Sequence, residues 1–192
     1  MGMALAAPGS IIVALEYDRQ AILTGEIWRL WTGHLVHFSL QQAFVDAFAL
    51  SIASALVERA IGTARLLIAL VLGAPCISLG LMLGSPDLLY YRGASGIAVM
   101  MAISAGGSIW PRYKMLLTLL LLSFVVKTAA EAIGVSANLA RLPAYVVVAW
   151  QAHLLGAICG ALMTLSGRFS PGRMHQSSQS HTEDLRSINS IL

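Results

Sequence analysis

Two short stretches carry residue types that can do chemistry together. Gly93-Ala94-Ser95-Gly96 sets a serine between glycines where a polar loop turns into an apolar segment. Glycine permits tight turns and close approach, and a helix N-terminus offers free N–H groups to a developing oxyanion. The second stretch, Ala152-His153-Leu154-Leu155-Gly156-Ala157-Ile158-Cys159-Gly160, sets a histidine beside Ala152, Gly156 and Gly160, a stripe of small residues repeating every fourth position. Such a stripe lets a second helix come close and turns His153 towards it rather than towards lipid. Each stretch alone has a plainer explanation, a packing seam for the serine and a helix-bridging hydrogen bond for the histidine. Together they pair a hydroxyl with a base. Serine is a weak nucleophile until a base within about 2.6–3.2 Å takes its proton. Ser95 and His153 are therefore the candidate nucleophile and general base, a Ser–His dyad with no aspartate required. His37, Gln42 and Asp46 are further polar groups in an oily segment, where such groups face a bundle interior or a wet cavity.

The elements that must position these groups are membrane helices. Of the 192 residues, 57% are hydrophobic and only 11% charged, whereas soluble domains carry about 25% charged residues. Too little charge remains to coat a globule, which excludes a soluble enzyme and a disordered chain. The net charge of +3 is scattered with no basic run, which argues against nucleic acid as a partner. Cys76 and Cys159 lie in apolar segments and read as small buried residues, and no spacing suggests a metal, a cofactor or a disulfide.

The expected fold is all-α, a polytopic bundle of six transmembrane helices. The first, over 3–15, is short and interrupted by Pro8. An aromatic stretch from Glu16 to Thr32 follows, with Tyr17, Trp28 and Trp31 suited to the membrane–water interface. Further spans are expected at about 34–57, 66–83, 93–108 and 115–126, the last two separated by a turn at Pro111, Arg112 and Lys114. Pro143 opens the final span, about 144–165. Residues 1–165 thus form one membrane domain, and 166–192 a polar, flexible tail. With the N-terminus inside, the loops at 58–65 and 107–114 and the tail hold seven Lys/Arg residues against five opposite, a bias that sets both ends of the chain in the cytoplasm.

These residues resemble the rhomboid family of intramembrane serine proteases. Trp28-Arg29 with Thr32 and His34–His37 is similar to the family's loop motif, and Glu58-x-x-x-Gly62 to the close of its second span. Gly93-Ala-Ser-Gly96 matches the nucleophile motif, and Ala152-His-x-x-Gly-x-x-x-Gly160 the base motif. The stretch from Glu16 to His37 looks most like rhombosortases, which are associated with proteins bearing a C-terminal Gly-Gly, an apolar helix and a basic tail. The resemblance implies a protease of the inner (cytoplasmic) membrane. Ser95 would attack a peptide near the end of a substrate's transmembrane helix, in a cavity open to the outer face. His153 would act as base and then acid, Gly93 and Gly96 would shape the site, and Gly156 and Gly160 would pack the helices. A lateral gate would lie around Phe124 and Lys127. Lipid and transmembrane substrates are the implied partners.

Three positions depart from that pattern. After His37 the family usually places a histidine five residues on and an asparagine four beyond; this chain has Gln42 and Asp46. Gln42 can donate to an oxyanion, or it can complete a capping box with Ser39. Asp46 donates only when protonated, and ionised it repels an oxyanion; a structural hydrogen bond is its simpler use. Val99 stands where a stacking partner for the base often occurs, and His34 is assigned to the interface. The alternatives are a pseudoprotease that binds transmembrane helices without cutting them, and a small proton transporter using Asp46 and His153.

Overall fold

A computed structural model describes residues 9–135 and 149–166, side chains of Gly9 and Ser108 excepted. The part of the first span before residue 9, Pro143 and the tail beyond Ser166 lie outside the described residues. The described part is helical apart from one two-stranded ribbon. In chain order it runs α1 (Gly9–Leu15), β1 (Tyr17–Asp18), α2 (Arg19–Leu23), α3 (Arg29–Thr32), α4 (Leu40–Ile61), α5 (Thr63–Gly84), β2 (Tyr90–Tyr91), α6 (Ser95–Ala132) and α7 (Trp150–Leu165).

Among the described residues three stretches are long and apolar enough to cross a membrane, Leu40–Ile61, Thr63–Gly84 and Ile109–Ala132, while Ser95–Gly107 and Trp150–Leu165 are shorter apolar helices. The described residues therefore support a helical membrane protein and by themselves give three full spans. Between α4 and α5 the turn is Gly62 alone, at φ 83°, so the helix runs on through Glu58 and Arg59. The expected turn around Pro111–Lys114 is there: α6 is two helices meeting at a kink, where Tyr113 leaves helical dihedrals at φ −125°. The chain folds back there. A first arm descends from Ser95, a second arm returns to Ala132, and the two ends of α6 share one end of the bundle with the start of α7.

The aromatic stretch is a hydrogen-bonded scaffold, with Trp28 and Trp31 still exposed and Tyr17 buried. The last carbonyls of a helix lack partners inside it, and those of α1 and the residue after it find theirs here. Arg29 donates to the carbonyls of Val13 (2.7 Å) and Glu16 (2.8 Å), Trp28 to Ala14 (3.3 Å) and Thr32 to Leu15 (2.6 Å). Asp18 caps α2 by accepting from the amides of Gln20 and Ala21. Tyr17 is wholly buried and pairs with Tyr91 across the β1–β2 ribbon. Pro75 cannot donate to the carbonyl four residues earlier; Trp31 Nε1 donates to that carbonyl, Val71, at 2.8 Å.

The exterior is as oily as the core. Phe44, Phe48 and Leu83 are largely exposed, and Cys76 is exposed rather than buried. Hydropathy cannot separate a lipid-facing thiol from a core one, because lipid tails are as apolar as leucine. Close backbone approach holds the helices instead. A Cβ added at Gly156 would collide with the carbonyl of Gly96, and one at Gly96 would sit 2.9 Å from the carbonyl of Ala152.

Candidate active site

Ser95 opens α6 at the end of a loop held from several directions. Gly93 takes φ +134°, a conformation that side chains rarely adopt, and a Cβ there would lie 2.6 Å from Nε2 of Gln42. The hydroxyl of Tyr91 donates to the Gly93 carbonyl at 2.7 Å, with Nδ1 of His34 3.2 Å from the same oxygen. The amide of Ala94 donates to Oδ2 of Asp46 at 3.0 Å, and Nε2 of His37 meets that oxygen at 3.1 Å. Nδ1 of His37 is buried without a partner among the described residues. Ser39 caps α4 through the amide of Gln42. The Gln42 side chain accepts from the amide of Phe38 (3.0 Å) and donates to the carbonyl of Arg92 (3.2 Å). Gln42 and Asp46 thus use their polar atoms to fix the approach to Ser95. Arg92 is in turn anchored to Glu16 at 2.7 Å.

His34 is buried among α3, α5 and the Gly93 loop rather than at the interface. Its Nε2 lies 3.1 Å from the carbonyl of Ala74 and 3.0 Å from the hydroxyl of Ser78. Burial lowers its pKa from 6.5 to about 4, against the opposing pull of the Ala74 and Gly93 carbonyls. Burial likewise pushes the Tyr91 phenol well above its usual range, helped by nearby Asp46 and opposed by Ser95 and the Gly96 backbone.

The serine and the histidine meet. Nε2 of His153 lies 2.9 Å from Oγ of Ser95, a contact made by the close packing of Gly156 on Gly96. On the other face of the imidazole, Nδ1 lies 2.8 Å from Oε2 of Glu131. The second oxygen of Glu131 accepts from Nζ of Lys127, one turn back on the same arm. Glu131 carries no motif. Its one sequence signal is a Lys-x-x-x-Glu pair closing an apolar run, and a span drawn to end at Val126 leaves that pair in a loop. Below Ser95, between the two arms and α7, lies an apolar cavity of about 640 Å³ whose lining includes Val99, Phe124 and Ala157. Gly160 packs lower on the same seam, against the carbonyl of Met100.

A family model for the Rhomboid domain matches residues 24–168, most of the chain and every described element except α1, β1 and α2. The chain belongs to the rhomboid family. Rhomboids are intramembrane serine proteases whose substrates are transmembrane proteins, so this rhomboid is a membrane protein of a proteolytic family. Comparison with curated proteins found no match. The described residues of this rhomboid hold no cluster of His, Cys, Asp or Glu able to take a metal.

Proposed function

We propose that this rhomboid is an active intramembrane serine endopeptidase of the rhombosortase kind, cutting membrane-anchored proteins near the end of a transmembrane helix, with C-terminal Gly-Gly sorting signals as the substrate class. The 2.9 Å contact between Ser95 and His153 carries this reading. His153 takes the Ser95 proton as Oγ attacks the scissile carbonyl, then returns it to the leaving amine, and water releases the acyl-enzyme by the same steps reversed. The first-turn amides of α6 from Ser95 onward have no helical partner and are the oxyanion donors. The second amide proton of Gln42 supplements them. The resemblance of the stretch from Glu16 to His37 supports the rhombosortase assignment.

Charge supports a site facing the outer side of the inner membrane. Arg19, Arg29, Arg92 and Lys127, at the Ser95 end, are all tied to carboxylates or carbonyls. Arg59, Arg65 and Lys114, at the opposite end, make no ion pair among the described residues, as cations kept in the cytoplasm can afford to do.

Co-expression with a Gly-Gly-tailed membrane protein tests the reading. The wild type should strip the anchor and His153→Ala should not, while a fluorophosphonate probe should label wild type and spare Ser95→Ala. Equal labelling of the two would remove Ser95 from the chemistry. One observation favours the pseudoprotease instead: Asp46 accepts from the Ala94 amide, and Gln42 spends its carbonyl on the Phe38 amide and one amide proton on the Arg92 carbonyl. In that case Gln42→His with Asp46→Asn should switch on cleavage that the unmodified chain lacks.

A further inference from the structure

The steps above use a hydroxyl and an imidazole and leave a buried ionisable group beside them without a task. Glu131 is only 6% exposed, at the last turn of the second arm of α6. A buried carboxylate is costly unless paired and hydrogen-bonded. Its two oxygens are shared between Nδ1 of His153, at 2.8 Å, and Nζ of Lys127. We propose that Glu131 is a positioning residue that completes a Ser95–His153–Glu131 triad, with Lys127 clamping the carboxylate. This deepens the hydrolytic reading and rests on it.

A neutral imidazole carries one N–H, and the hydrogen bond made by one nitrogen decides what the other can do. Glu131 holds the proton on Nδ1, which leaves the lone pair of Nε2 facing Oγ of Ser95. As the Oγ–C bond forms, the hydroxyl proton passes to Nε2, and the imidazolium so made is stabilised by the carboxylate, which takes no proton itself. The Nε2 proton then goes to the amine nitrogen as the C–N bond breaks. Water next gives a proton to Nε2 while its oxygen bonds the acyl carbon, and Oγ leaves and recovers the proton. Were the proton on Nε2 at the outset, a donor would face Ser95 and the attack would have no base. Lys127, with its side chain about half exposed, reaches Glu131 from the rim of the bundle, as long cationic side chains do near the ends of membrane helices.

The test compares two changes that a space-filling role and a positioning role rank in opposite order. Glutamine has nearly the shape of glutamate without its charge, and aspartate keeps the charge one methylene short. In the full-length protein acting on an anchored Gly-Gly substrate, Glu131→Gln should lower kcat by about 10²–10⁴-fold with KM changed by less than about two-fold. Glu131→Asp should retain more activity than Glu131→Gln. A Gln variant with wild-type kcat, or one that outperforms the Asp variant, overturns the triad. The controls separate the two layers of the proposal. If Ser95→Ala is dead while Glu131→Gln turns over normally, the triad fails and the hydrolytic reading stands. If wild type is not labelled by the fluorophosphonate, or Ser95→Ala still cleaves, both fail.

Discussion

The two walls around Ser95 are held by opposite means. On one side, the Arg92–Ala94 loop is gripped by Tyr91, Asp46, Gln42 and the ring of His34, and the scaffold behind it is locked by Arg29 and by the Arg92–Glu16 pair. On the other side, the second arm of α6 is scarcely packed: 6% of its apolar window is buried inside the protein, against 39% for α5. Met115 and Val126 are mostly exposed. Yet this arm carries Glu131. Hydrogen bonds fix the serine as a reference point, whereas the carboxylate behind the histidine rides on an element that surrounding lipid must help hold upright.

The contrast can be broken most completely at the seam that joins the walls. Gly156→Leu would drive a side chain into the carbonyl of Gly96, where backbone cannot yield. Overpacking costs typically about 1–3 kcal/mol and occasionally more, and parting α7 from α6 should abolish fluorophosphonate labelling of Ser95. Thermal unfolding in detergent would show whether the fold survives.

A pH titration tests the gripped wall next. His34, in the loop before α4, has a folded-state pKa of about 4, lowered from 6.5, so between these values the unfolded chain binds the extra proton. Its contribution to stability is therefore complete above pH 6.5 and lost as pH falls towards 4, by at most about 3 kcal/mol. Thermal melts of wild type should steepen their decline across that window relative to His34→Gln; parallel curves would refute the assignment. The smallest effect belongs to the sparse wall. Leu116→Ala, at a site 54% exposed, should change stability by less than about 0.5 kcal/mol, and a larger loss in the same melts would mean that the arm packs more firmly than it looks.

Ser95 and His153 are legible in the chain because each sits in a local motif with small residues at helical spacing, and their meeting follows from two helices with no bulk between them. The helical membrane class follows from charge scarcity. Other features depend on contacts between distant segments and leave no local trace. Nothing near His34 distinguishes an interfacial imidazole from one buried under α5, and Tyr17 looks interfacial until a ribbon with Tyr91 covers it. Trp31 reads as a headgroup anchor, and nothing beside it in the chain shows that its indole also serves the carbonyl vacated by Pro75. Glu131 is invisible for a similar reason: only the fold-back at Tyr113 returns it to the level of His153.

That fold-back makes spacing a functional quantity. Ser95 and Glu131 sit on two helices joined at that kink, and each residue of a helix adds about 100° of rotation and 1.5 Å of rise. A one-residue insertion between Lys114 and Lys127 would swing the carboxylate a quarter-turn or more around its axis and away from the imidazole, with every side chain of the site still present. Deletions would do the same in the reverse sense, so the stretch of aliphatic sequence that looks most interchangeable tolerates exchange of letters but not a change in their number.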